Sequence, residues 1–486
     1  MQLHKGDMFL DLYRNCGSAF SMCTICIALL CSIVTASVAQ TSSDTLILPI
    51  DAYLQQVKQF HPLSQKTDLQ VEMADLEKLR AKGMLDPKID LGWAQKNFDK
   101  KLYYRNYQGK IKVPTKYGLS AVGGYENSEG IFLNPENTTD RLGLWNVGLE
   151  LDVLQGLITN ERSVGLELAD LMLAQTIFDQ EWILNSILYE AASAYLMWQQ
   201  FYLFRTVLAE NQSLSQTYLE NTKLLFQNGE KSVIDTLEAF ILLQDATNGL
   251  NENEINLTKA KIEAQNYFWE QGRSVNLQRT DVPQEDLVLQ SEDVQEIDTT
   301  NIFANHPILK AYEVKQESLV LSQKLKREKR KPKLKVNYNP LLATSENSIA
   351  PNYSLANYKW GFNFSMPLFM RAEKADVQIG LVKMREVELD RSNKANELNN
   401  KMDGSIRQLL QLQDQLILAR QTLEGYQRLL DGENEKFRAG ESSVFLLNKR
   451  QEKYIAGQLK LIALQTKLQK EYIKYLYFTN QIDSLL

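Results

Sequence analysis

The chain has 486 residues, with 54 Lys and Arg against 60 Asp and Glu, giving a formal net charge of -6. This mild acidity excludes the broad basic surface that a nucleic-acid partner requires. The four cysteines, Cys16, Cys23, Cys26 and Cys31, all fall in the first 39 residues. The rest of the chain therefore holds no disulfide framework, thiolate metal site or cysteine nucleophile, and with no phosphate loop or metal-ligand spacing no cofactor is expected.

Residues 1–39 read as a signal peptide. Lys5 and Arg14 precede an apolar run from Ala19 to Val38, and Ser37-Val38-Ala39 before Gln40 has the small-x-small form of a cleavage site. No later stretch approaches 18 consecutive apolar residues, so no transmembrane helix is expected. An exported chain of this kind is periplasmic, secreted or an outer-membrane barrel.

Beyond residue 39 the chain is written twice. His61-Pro62 opens a first repeat (40–280) and His306-Pro307 a second (301–486). Pro87 and Pro332 each lie 25 residues further on. Proline in a first helical turn marks where each short helix begins; the two histidines, with no acidic or cysteine cluster beside them, make a poor metal pair. In the first repeat the period predicts helices over about 63–84, 154–225 and 230–272, with strands between about 87 and 153. In the second it predicts helices over about 308–331, 371–437 and 441–480, with strands over about 332–368. Between the repeats, 281–300 (DVPQEDLVLQSEDVQEIDTT) is acidic and aperiodic, the pattern of a solvated linker.

The long helices are too long for a compact globule. Leu184, Ile187, Leu188, Ala191, Tyr195 and Trp198 share one helical face. About 70 residues at 1.5 Å each reach roughly 105 Å, which implies coiled-coil or tube packing. In each repeat two shorter helices, laid end to end, nearly match the long one.

The strands alternate. Trp145, Val147, Leu149 and Leu151 are interleaved with Asn146, Gly148, Glu150 and Asp152; Trp360, Phe362, Phe364 and Met366 with Gly361, Asn363 and Ser365; Ile89, Leu91 and Trp93 continue the theme. A membrane barrel with a wet lumen and an ordinary sandwich both show this pattern, and two short hairpins without a sandwich partner favour the barrel. The first repeat carries about 30 extra residues near 97–139, which predict one more hairpin, Tyr103–Val113 and Tyr117–Glu126 joined by Pro114-Thr115-Lys116, and a polar loop over 127–140. Arg105 interrupts the alternation of the first extra strand.

Both long helices end in FxxGE, Phe226 to Glu230 and Phe437 to Glu441. Gly229 and Gly440 can take the left-handed conformation that reverses the chain. After Gly229, Ser232 is a plausible cap, and Asp235 and Glu238 share a face; they line a narrow opening if copies surround an axis, or simply face solvent.

The signal peptide, the duplicated strands and long helices, MPLF at Met366 to Phe369, and FxxGE followed by Ser232 and Asp235 together resemble the TolC-type outer-membrane efflux proteins. The resemblance implies an α+β, mainly α fold, internally duplicated, in which a homotrimer shares one β-barrel in outer-membrane lipid and a coiled-coil α-helical tunnel in the periplasm. It implies a passive export duct, not an enzyme, partnered by a periplasmic adaptor and an inner-membrane transporter. The family often carries acids six and nine positions after the glycine of the second repeat. Here those positions are Leu446 and Lys449, and the acids stand in the first repeat as Asp235 and Glu238. The alternative reading is a soluble periplasmic coiled-coil adaptor, which explains the helices but not the aromatic alternation.

Overall fold

The computed structural model describes residues 46–278, 280–285, 305–345 and 348–486. The predicted signal peptide, with all four cysteines, and residues 286–300 of the predicted linker lie outside the described residues. The chain divides into two units, residues 1–47 with 278–282, and residues 48–277 with 283–486. In the first, the Leu46 amide donates to the Thr280 carbonyl at 3.1 Å.

Among its described residues the second unit contains a set of helices, one large sheet and one two-stranded pairing. Seven helices carry it: α1 Ile50–Phe60, α2 Pro62–Lys82, α3 Glu161–Gln227, α4 Val233–Gln265, α5 Pro307–Glu328, α6 Arg371–Arg438 and α7 Val444–Phe478. The long helices have 67 and 68 residues, each about 100 Å. Helix α3 is the centre of the packing and touches α1, α2, α4, α5 and α7. Pro62 and Pro307 occupy the first turns of α2 and α5. His61 and His306 precede them at the N-cap positions, the first against the Tyr267 ring and accepting from the Leu63 amide, the second against Trp182 with no side-chain cap bond.

Several boundaries differ from expectation, each for a local reason. Helix α3 starts at Glu161 instead of near 154, because Gly156 takes a φ of +93° and Asn160 forms a capping box with Ser163. Helix α4 stops at Gln265 instead of near 272. Beyond it the chain turns back, pairing Trp269–Glu270 with Arg273–Ser274 across Gln271 and Gly272, both at positive φ. The short helices therefore total less than their partner rods: 21 and 33 residues beside 67, and 22 and 35 beside 68.

Helix α1 was absent from the sequence expectation, although Ile50, Tyr53, Leu54 and Val57 have helical spacing and are buried. It fills the space where α4 ends. The Tyr53 hydroxyl donates to the Ala264 carbonyl at 2.8 Å, and its ring lies 5.3 Å from that of Tyr195. Tyr53 and Tyr195 belong to one buried hydrophobic cluster with Leu54, Leu188, Trp198 and Ile473. Full burial of each such side chain contributes about 1.5–3 kcal/mol.

The sheet has six strands in one plane of hydrogen bonding: β1 Lys88–Phe98, β2 Lys101–Pro114, β3 Leu119–Glu129, β4 Leu144–Asp152, β5 Lys333–Ser345 and β6 Ser348–Ser365. Their spatial order is β1-β2-β3-β4-β5-β6, and every neighbouring pair is antiparallel. The extra hairpin is β2–β3, slightly longer than expected, and it is inserted within the sheet between β1 and β4. Residues 127–129, expected in the loop, complete β3; the loop begins at Gly130.

Candidate functional site

Cross-strand register sorts the sheet into two faces. Leu91, Gly109 and Tyr125 stand on one side, as do Ile89, Ile111, Gly123 and Val147. The same side continues through Leu149, Tyr338 and Trp360, then through Leu151, Val336 and Phe362. Apolar residues dominate this face and they are bare: Leu91 is 82% exposed and Phe362 65%. An apolar sheet face with no protein over it needs an apolar solvent or partner. Trp93 pairs with Tyr107 in an aromatic row, and in the next row of the same face the Tyr125 and Trp145 rings lie 4.9 Å apart.

Arg105 marks where this face ends. It stands in one cross-strand row with Gln95 and Glu129, outside the apolar band. Its Nε donates to Gln95 at 3.0 Å and its Nη1 to Glu129 at 2.6 Å. The interruption in the sequence pattern is therefore a polar rim beside the aromatic row.

The opposite face is polar. Glu150 accepts from Lys110 at 3.1 Å and from Lys112, and Lys335 stands 4.0 Å from Asp152. Gly148 stands against Asn339 and Gly361 against Asn337, and Gly92 pairs with Gln108 at the other edge. A groove of about 910 Å³ opens at the lower end of this face, where Lys112, Glu150, Glu161, Glu328, Lys333 and Asp376 bring both signs of charge together.

The β2–β3 turn is tied to the helical part at that end. The Gly118 amide donates to Leu157 O and the Asp152 amide to Gly118 O, each at 2.8 Å. Arg162 and Asn160 side chains donate to the carbonyls of Tyr117 and Lys116 at 3.0 and 3.1 Å. A Cβ on Gly118 would lie 2.7 Å from the Gly156 carbonyl oxygen, so only glycine permits this approach.

The far ends of α3 and α6 carry the two FxxGE turns. Gly229 has φ +79° and Gly440 φ +78°. The Glu230 amide donates to Leu225 O and the Glu441 amide to Lys436 O, both at 2.9 Å, the bond that closes a Schellman turn. The turns lie side by side: the Phe437 ring is 6.1 Å from that of Tyr218, and Lys231 Nζ is 5.0 Å above it.

After each turn the third helical residue differs. Asp235 completes a capping box: its amide donates to Ser232 Oγ at 3.2 Å and its carboxylate accepts the Ser232 amide at 2.9 Å. The Ser232 hydroxyl and amide hold the carboxyl below its ordinary range. Leu446 occupies the matching position in α7; its amide donates to Ser443 Oγ at 3.3 Å, but its side chain returns nothing. Leu446 is left exposed with Phe445, as Val233, Ile234 and Leu237 are on α4. Glu238 follows Asp235 by one turn, and its counterpart Lys449 donates to Glu452 at 2.7 Å. Among the described residues no group of three or more His, Cys, Asp or Glu is placed to hold a metal ion. None of their helices is long and apolar enough to cross a membrane.

Sequence comparison matches residues 300–474 to the family described as outer membrane efflux protein. No curated protein matches. Among solved structures the chain is similar to CusC, whose crystal structures concern folding and transmembrane channel formation (TM-score 0.65, 12% identity, 88% of this chain and 91% of that one). It is similar to VceC, an outer membrane protein of Vibrio cholerae (TM-score 0.63, 11% identity, 89% and 96%), and to the open state of the Neisseria gonorrhoeae MtrE outer membrane channel (TM-score 0.60, 11% identity, 92% and 93%).

Proposed function

We infer that this chain, whose residues 300–474 match the outer membrane efflux protein family, is one protomer of a passive export duct. The family's members are outer-membrane channels of tripartite efflux systems, with a large periplasmic tunnel. The observation that carries the reading to this chain is the sheet: one face bare and apolar, the other polar and charged, on helices about 100 Å long. A wall with lipid outside and water inside needs those two faces. A soluble adaptor has no use for an exposed apolar sheet, which disfavours the alternative.

The finer reading has three parts. The protein is a homotrimer, as its resemblance to the efflux family implies; a six-stranded open sheet with two bare edges, which does not close on itself, supports assembly with further copies. Its partners are a periplasmic adaptor and an inner-membrane transporter, which meet the helical end carrying Gly229 and Gly440. At that end Leu446 forms an apolar constriction, with Asp235 held as a helix cap, and Glu238 and Lys449 on the flanking turns. The transported substance is then chosen by the transporter and passes without chemistry.

Fractionation tests the reading. The protein is expected to sediment with outer membranes and to run as a trimer after detergent extraction. A monomer soluble in plain buffer would contradict it.

A further inference from the structure

We propose that three copies close an eighteen-stranded wall, sealed by main-chain pairing of β1 on one copy with β6 on the next. The proposal rests on the trimeric duct reading, in which the copies share one barrel; what it adds is that the inserted hairpin belongs to that barrel, which sets the strand number and makes β1 and β6 the edges that meet.

Three observations carry it. First, the hairpin β2–β3 lies within the hydrogen-bonded sheet, with β1 on one flank and β4 on the other. The repeats alone would supply one hairpin each; the insertion raises the contribution of each chain to six strands. The docking of Gly118 against Leu157 and of Lys116 against Asn160 ties this hairpin to the start of α3, so it is part of the wall and not a surface flap.

Second, the strand directions fit. All five neighbouring pairs are antiparallel, so the outermost strands β1 and β6 run in opposite directions. An edge β1 therefore meets the β6 of a neighbouring copy as an antiparallel partner, with the same edge pair repeated around a ring. A chain with an odd number of strands would present parallel edges. This heterologous contact closes by rotation and leaves no edge exposed.

Third, the faces continue across the seam. The apolar side of β1 is Ile89, Leu91 and Trp93, and that of β6 is Trp360, Phe362 and Phe364. All six are well exposed in the single chain, and β1 is exposed along its whole length. Joining the edges aligns these residues into one apolar band and places Asp90 and Ala94 with Lys359 and Asn363 on the polar side. The lumen is incomplete in one copy, because the face bearing Lys110, Lys112 and Glu150 encloses water only when neighbours complete the ring.

The inserted hairpin then has a consequence for size. With strands about 4.8 Å apart and tilted by about 40°, eighteen strands enclose a backbone cylinder about 36 Å across, against about 24 Å for twelve. The wall is thus set for a water-filled lumen wider than the two duplicated hairpins alone would give.

Cysteine cross-linking tests the seam, since the only native cysteines lie at or before residue 31. Asp90→Cys, Gly92→Cys and Ala94→Cys are each combined with Lys359→Cys, Gly361→Cys or Asn363→Cys, which samples same-face registers on both sides of level pairing. The double variants are expressed in the full chain, oxidised in membranes and compared with the single variants. The expected result is a covalent trimer on non-reducing gels for at least one combination, lost on reduction and absent from every single variant, with nothing larger than a trimer. A detergent-stable trimer that cross-links in none of the combinations would overturn the seam while leaving the duct reading intact. Electron microscopy of the same trimer counts the strands directly: eighteen supports the proposal and twelve overturns it. A protein that is monomeric in detergent defeats the duct reading itself, and the seam with it.

Discussion

The side chain of Gln323 occupies the space that a Cβ on Gly380 would need. Its amide is buried between α5 and α6 and donates to the Val377 carbonyl at 3.0 Å. Alanine in place of glycine inside a helix ordinarily gains about 1 kcal/mol. At this position it must displace a buried, bonded amide, and losing that bond costs about 1–3 kcal/mol. Gly380→Ala is therefore expected to lower the melting temperature in wild-type background. In a Gln323→Ala background the obstacle is gone, and the same substitution is expected to raise it. Thermal melts of the four proteins in detergent check this; additive effects would contradict the contact.

The two faces of β6 make opposite demands on neighbouring residues. Phe362 belongs to the bare apolar face and Asn363 to the polar one. Phe362→Arg is expected to cost about 2–4 kcal/mol in a bilayer, the range for a charge on the lipid side of a barrel, and to reduce the assembled trimer. Asn363→Arg is expected to assemble normally. Heat-resistant trimer measured from outer membranes compares them, and equal losses would mean that lipid does not cover that face.

The helical tip offers a contrast between matched residues. Leu446→Asp places a carboxylate at the proposed constriction and restores a capping partner for Ser443. It is expected to raise the cation over anion permeability of single channels several-fold. Asp235→Ala leaves the Ser232 cap in place but removes the carboxylate that accepts the Ser232 amide, the second half of the capping box, and is expected to speed amide exchange in the first turn of α4 while changing selectivity much less. Unchanged selectivity and conductance in both variants would exclude this end as the constriction.

Two histidines make the helical part sensitive to acid. Burial lowers His306 from 6.5 to about 4, and burial also lowers His61. A depressed value favours the neutral form in the folded state. The associated stability is complete above pH 6.5 and is lost as the pH falls from 6.5 toward 4, at roughly 1.4 kcal/mol per unit for a fully coupled site. The melting temperature is expected to decline between about pH 6.5 and 5, and His306→Asn, which removes the titrating group and places a good N-cap residue before Pro307, is expected to flatten that decline. An unchanged slope in the variant would assign the effect elsewhere.

Much of this architecture was legible in the sequence because it depends on period. The long helices, the alternation at Trp145 and Trp360, and the glycine reversals at Gly229 and Gly440 are local properties that survive any packing. The extra hairpin was also legible, but not its place in the wall, since that is decided by pairing of Ile111 with Gly123 and of Tyr125 with Trp145 across separate segments. Arg105 breaks the alternation in the sequence, and its reason lies in Gln95 and Glu129, which reach its row from two other strands. Helix α1 escaped notice because eleven residues make a weak periodic signal, although Tyr53 and Leu54 are among the most buried side chains. At the tip, spacing equated Asp235 with Leu446; only the hydrogen bonds show that the first is engaged as a cap and the second is not.

Planar-bilayer recording of the detergent-purified protein tests the central claim most directly. A passive duct is expected to give discrete, water-filled conductance steps without added nucleotide or substrate, and Leu446→Asp is expected to alter their ion selectivity. A purified trimer that inserts into the bilayer and passes no ions under any applied voltage would contradict the account.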